Sequence, residues 1–114
     1  MPWNLDSDRP IFLQIVERLE SDIVSGKFAP GEKLPAVREL AVEAAVNPNT
    51  MQKACAELER IGLVYSQRTS GRFVTEDKKR IDQTRKDLAK KTVKEFLQRM
   101  EELGISRDEA MKLL

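Results

Sequence analysis

Residues 34–64, LPAVRELAVEAAVNPNTMQKACAELERIGLV, constrain this chain more than any other part of it. The run reads as two helices joined by a tight turn, the second opening at Asn47-Pro48-Asn49-Thr50. Asn47 suits an N-cap, and Pro48 suits the first helical position because its missing N–H would have had no partner there. Met51, Ala54, Cys55, Leu58 and Ile61 recur at helical spacing and mark one face for burial. At about 100° per residue the opposite face carries Asn49, Gln52, Lys53, Ala56 and Arg60. That strip is polar and cationic, with one small residue that permits close approach. A helix entering a DNA major groove needs such a surface, with hydrogen-bonding side chains on its first turns.

The flanking segments supply the rest of a small helical body. Arg9 to Ser25 reads as an amphipathic helix with Phe12, Ile15, Val16, Leu19 and Ile23 on one stripe, Pro10 in its first turn and Gly26 at its end. Ala29-Pro30-Gly31-Glu32 has the chemistry of a type II turn. Val37, Leu40, Ala41 and Ala44 give the next helix its buried face and leave Arg38, Glu39 and Glu43 outward. After Gly62, Leu63–Gln67 and Arg72–Thr75 have strand character around Thr69-Ser70-Gly71. Two short strands around a small-residue tip predict a β-wing, with Arg68 and Arg72 at its base and Gly71 near the tip. A glycine there lets the backbone approach a narrow minor groove, whose negative potential attracts a flanking arginine.

From about Lys79 to Leu103 the pattern is helical again, with a broad stripe that includes Leu88, Val93, Phe96, Leu97, Met100 and Leu103. Gly104 ends it, and Ser106-Arg107-Asp108-Glu109 fits a capping box for a last helix from Arg107 to Leu114. A hairpin this small must pack on the preceding module or on a copy of itself, and a copy sets two recognition helices on a two-fold axis. The expected fold is therefore mainly α: a winged helix-turn-helix over residues 1–77 and a two-helix dimerisation tail over residues 78–114.

Composition bounds these readings. A chain of 114 residues buries only a modest core, and 34% charged with 5% aromatic residues suits a helical soluble protein. No apolar run reaches the ~18 residues of a membrane span, and the N-terminus lacks the pattern of a signal peptide, so a cytoplasmic location is expected. With no histidine and a single Cys55 on an apolar helix face, neither a nucleophile–base pair nor a His/Cys metal site can be assembled. No enzyme activity and no cofactor are expected. The net charge of +1 runs against the usual basic signature of nucleic-acid binders. Up to Asp77 there are nine Lys or Arg against twelve Asp or Glu, and from Lys78 onward eleven against seven. DNA contact must then rest on local placement of charge.

Taken together, the leading stretch PIFLQIVERLESDIVSGKFAPGEKLPAVREL, the segment VNPNTMQKACAELERIGLV, the wing RTSGRFVT and the short tail resemble the GntR family of transcription regulators, specifically its short YtrA-type branch. The resemblance spans the whole chain. It implies a homodimeric repressor that binds a palindromic operator through the winged helix, with a short helical dimerisation segment in place of a large effector domain. Position by position, Arg38 matches the arginine of the second helix that approaches the DNA backbone or a guanine edge. Asn47, Asn49 and Thr50 match the polar start of the recognition helix. Gln52 and Lys53 match its next outward pair, glutamine suited to adenine and lysine to guanine or phosphate. In the wing, Arg68, Ser70, Gly71 and Arg72 are the candidate contacts.

Three positions depart from the family pattern. Ala45 stands at the usual turn glycine, where a positive φ costs on the order of 1 kcal/mol. Thr69 replaces the first of two wing glycines, and Ala36 is a poor N-cap for the second helix. Taken singly, Arg38, Gln52 and Lys53 are ordinary solvated helix residues, as is the basic run Lys78-Lys79-Arg80. Trp3 reads as a cap on the core, and Arg85 as an ion-pair partner across a dimer interface. The alternative function is a winged-helix protein-interaction module that does not bind DNA. Neither an effector molecule nor the operator sequence is readable from these residues.

Overall fold

A computed structural model describes residues 3–114. The elements run α1 (Ile11–Val24), α2 (Val37–Ala44), α3 (Pro48–Arg60), β1 (Val64–Gln67), β2 (Gly71–Val74), α4 (Lys78–Glu102) and α5 (Arg107–Lys112). This is the mainly α winged helix-turn-helix expected, with a helical tail. The first helix starts two residues later than its apolar pattern, because Pro10 takes the extended N-cap conformation (φ −54°, ψ 125°) and restricts Arg9 before it. The last helix stops two residues short, at Lys112.

The core lies where α1, α2 and α3 cross. Ile15, Leu19 and Ile23 of α1, Leu40 and Ala44 of α2, and Met51, Ala54, Cys55 and Leu58 of α3 are all buried in one cluster, which Leu63, Val64 and Val74 extend into the wing. At roughly 1.5–3 kcal/mol for each large apolar side chain removed from water, this cluster fixes the rotation of α3 about its axis. Gln14 is buried with its amide satisfied: it donates to the Asp6 carbonyl at 2.6 Å and to the Arg9 carbonyl at 3.0 Å, and accepts from the Asp6 N–H at 2.6 Å. Trp3 is buried on the same cluster, with the Arg18 guanidinium 4.7 Å over its ring.

The turn between α2 and α3 is made by Ala45 in the left-handed conformation, at φ 60° and ψ 46°. The Val46 N–H reaches back to the Ala41 carbonyl at 3.0 Å, closing α2 as a Schellman cap. Asn47 then starts α3, its side-chain oxygen accepting from the Asn49 N–H at 2.7 Å.

The wing has a third member that the sequence pattern does not mark. β1 and β2 pair antiparallel, with Tyr65 opposite Phe73 and Ser66 opposite Arg72. The extended segment after the Pro30-Gly31 turn runs along the other edge of β2. Gly31 donates to the Val74 carbonyl at 2.9 Å, Val74 to the Glu32 carbonyl at 2.8 Å, and Leu34 to the Arg72 carbonyl at 2.9 Å. The entry to α2 and the wing are therefore one hydrogen-bonded unit.

The first half of α4 belongs to this body as well. Ile81 is buried in the core and Leu88 packs against it. Between them Arg85 donates from Nε and Nη2 to the Val24 carbonyl at 3.0 and 2.8 Å, and from Nη1 to Asp82 at 3.0 Å. The expected ion pair across a dimer interface is thus replaced by an intrachain cap, because the last carbonyls of α1 have no helical partner and a guanidinium satisfies them. Leu88, grouped by its spacing with the dimer seam, is used within the chain. Further out, Val93 and Leu103 are exposed, while Phe96, Leu97 and Met100 are half-buried. The capping box of α5 forms at Ser106 and Glu109, and Ala110 is buried.

Ala45 offers a direct check on the turn. Replacing it with glycine removes a steric cost of about 1–2 kcal/mol in the left-handed region, less about 0.5–1 kcal/mol of added chain entropy in the unfolded state. Ala45→Gly should raise stability by about 0.5–1 kcal/mol in urea denaturation at unchanged slope; a loss of stability would contradict the left-handed turn.

Candidate nucleic-acid interface

Burial of Met51, Ala54, Cys55 and Leu58 leaves Asn49, Gln52, Lys53, Ala56 and Arg60 exposed on α3. The face drawn from helical spacing is the one the helix presents. Its residues are not equally available. Asn47 already serves as the N-cap, and Thr50 is half-buried on the first turn. Arg60 donates Nε and Nη2 to the two carboxylate oxygens of Glu57 at 2.7 and 2.6 Å, which holds the Glu57 carboxyl below the usual carboxylate range. The far end of the strip is therefore a neutralised pair. Among the described residues Lys53, Arg38 and Arg68 have no carboxylate within ion-pair distance. These three are free cations of this surface.

Arg38 is exposed at the second residue of α2, one helix before the strip. The wing turn places Arg68, Thr69 and Ser70 at the surface, and the Ser70 N–H closes the turn onto the Gln67 carbonyl at 3.0 Å. Gly71 follows at φ 108°, where a Cβ would sit 3.0 Å from the Lys33 side chain. Between the wing tip and the entry to α2 lies a depression of about 650 Å³, lined by Lys33, Leu34, Pro35, Thr69, Ser70 and Gly71 among others. Lys33 is a cation of this surface that the sequence reading missed. Its pairing opposite Phe73 is the signal, and it became visible only through the third extended segment.

Arg72 behaves differently from the other cations. Its side chain is only 20% exposed and turns onto α3, with Nε donating to Glu59 at 3.3 Å and Nη1 to the Gln52 side-chain oxygen at 3.4 Å. The same Glu59 oxygen accepts from the Ser66 hydroxyl at 2.6 Å. That hydroxyl above all holds the Glu59 carboxyl below the usual carboxylate range, against the opposing effect of burial and with Arg72 adding to it. Glu59 and Ser66 were not picked out from sequence. Residues 52 and 59 are seven apart and so share a helix face, and strand register sets Ser66 opposite Arg72. Burial pushes the Cys55 thiol up, so Cys55 is a packing residue.

Comparison with known proteins places these features in a family. Residues 12–74 match the family model described as bacterial regulatory proteins, gntR family. The chain is 37% identical over 112 residues to the uncharacterised HTH-type transcriptional regulator YhcF of Bacillus subtilis, covering 98% of this chain and 93% of that protein. It is 42% identical over 73 residues to the HTH-type transcriptional repressor YtrA of the same organism, covering 64% of this chain and 56% of YtrA. Among solved structures, a GntR family transcriptional regulator from Listeria monocytogenes superposes with a TM-score of 0.86 at 41% identity, covering 96% of each chain. The DNA-binding domain of AraR in complex with operator ORE1 superposes with a TM-score of 0.57 at 36% identity, covering 62% of this chain and 89% of that domain. The chain belongs to the GntR family of bacterial regulatory proteins and carries that family's winged helix-turn-helix.

Proposed function

We propose that the chain is a homodimeric repressor that reads a palindromic operator, with α3 in the major groove and the wing against the adjacent backbone or minor groove. The observation that carries this reading is the division of α3: four apolar side chains fully buried and Asn49, Gln52 and Lys53 exposed together on its first turns. The N-terminal residues of a recognition helix are the ones that reach base edges. Arg38, Arg68 and Lys33 flank that strip at positions suited to phosphates, which position a protein without reading sequence. Asn47, Thr50, Ser70 and Gly71 add polar or close-approach contacts, and Arg72 acts through α3. That the similar AraR DNA-binding domain forms a complex with an operator supports operator binding by a domain of this fold.

In this reading the tail holds two copies together through Val93, Phe96, Leu97, Met100 and Leu103. Val93 is 55% and Leu103 58% exposed in the single chain, and Val93 and Leu97 border an open groove with Ile105. Leu88 supports that seam from within the body. Two linked recognition helices bind half-sites about one DNA turn, ~34 Å, apart, and each raises the effective concentration of the other. A regulator of this kind is not an enzyme.

Two measurements test the proposal. Lys53→Ala should weaken operator binding by about 1–3 kcal/mol if Lys53 meets a base, and Arg38→Ala should weaken binding to all sequences alike and flatten its salt dependence. Unchanged affinity in both would remove α3 and α2 from the interface. A chain ending after Ala89 keeps Ile81 in the core, Leu88 packed against it and the Arg85 cap on α1, so it should fold but sediment as a monomer with much weaker operator affinity. A dimer of the shortened chain would put the interface elsewhere.

A further inference from the structure

We propose that Arg72 sets which base Gln52 reads, turning Gln52 from a reader of adenine into a reader of guanine. The inference rests on the operator-reading function proposed above. A glutamine with a free amide prefers adenine, because its nitrogen donates to N7 while its oxygen accepts from the N6 amino group. Here the Gln52 oxygen is approached by Arg72 Nη1 at 3.4 Å. Arginine has donors only, so the amide atom facing it must be the oxygen, which leaves the Gln52 nitrogen as the amide atom that Arg72 does not engage.

Arg72 is not free to leave. Its Nε is held by Glu59 at 3.3 Å, its side chain is mostly buried, and Glu59 is also held at 2.6 Å by Ser66, the residue opposite Arg72 in the strand pair. The wing and the recognition helix together fix the guanidinium. With one lone pair of the Gln52 oxygen taken by Arg72 and a guanidinium beside the other, what this pair offers a base is weighted toward donors, the Gln52 amide nitrogen and the remaining Arg72 N–H groups. Guanine presents two acceptors in the major groove, N7 and O6. The adenine amino group would have to enter beside a guanidinium whose N–H groups it cannot accept.

Selection from a random duplex pool, with relative affinities measured for the sequences recovered, separates the outcomes. The native chain should enrich guanine at one position of each half-site, and Gln52→Ala should abolish the preference at that position. Arg72→Ala should move the preference there from guanine to adenine by at least about fivefold, with the other positions unchanged. Arg72→Met, which keeps the aliphatic length that packs on α3, should do the same. Loss of affinity spread evenly over all sequences in both Arg72 variants, or adenine at this position in the native chain, would overturn the inference and leave operator binding intact. If the native chain enriches no sequence, operator reading itself fails, and this inference with it.

Discussion

Everything on the proposed DNA-facing side depends on how α3 is rotated, and that rotation is set by burial of Met51, Ala54, Cys55 and Leu58 against α1 and α2. Turning the helix by one residue would expose Met51 or Leu58 and bury Gln52 or Lys53, a change that costs several kcal/mol in lost apolar burial and stranded polar groups. The polar strip is outward because the apolar strip has no alternative. Pro48 and the Asn47 cap fix where the helix begins, so Asn49, Gln52 and Lys53 fall on its first turns and are exposed there. Core packing thus sets which face of α3 is outward, and the contacts among Gln52, Glu59, Ser66 and Arg72 orient side chains on that face.

The near-neutral charge also takes on a different meaning with the structure. The cations near α3 fall into two groups. Arg60 and Arg72 are bound to Glu57 and Glu59, and so contribute shape and positioning more than field. Arg38, Lys53 and Arg68 are unpaired among the described residues, and Lys33 lies beside Gly71 at the wing. A small number of free charges around a polar helix favours reading over indiscriminate attraction, since phosphate neutralisation supplies most of non-specific affinity. The carboxylates on α3 are then part of the device: Glu59 holds the wing to the helix through Ser66 and Arg72.

Much of this was legible in the sequence because it is local and periodic. Apolar spacing gave the helices and the buried face of α3; Pro and Gly gave the turns; the capping box at Ser106 and Glu109 formed as written. Ala45 was legible as a problem, and the chain adopts the strained conformation with alanine in place. What escaped was long-range. The segment around Lys33 has no strand alternation, and only the edge of β2 makes it extended. The target of Arg85 is a carbonyl 61 residues earlier, and an arginine on an apolar stripe does not say whether it meets its own chain or a copy. Arg72 was read as a wing residue facing DNA, while its partners lie 13 and 20 residues back on α3. The half of α4 that packs on the body and the half that leaves it share one apolar pattern, and only the end of the core divides them.

The most direct measurement is a titration of isotope-labelled protein with duplex DNA, following backbone amide shifts by NMR. A recognition helix set by its buried face predicts that the largest changes fall on Asn49–Lys53, the first turn of α2 around Arg38, and the wing from Arg68 to Arg72. The solvent faces of α1 and the outer half of α4 should stay still. Changes centred on the tail or on α1, or none on α3, would contradict the account.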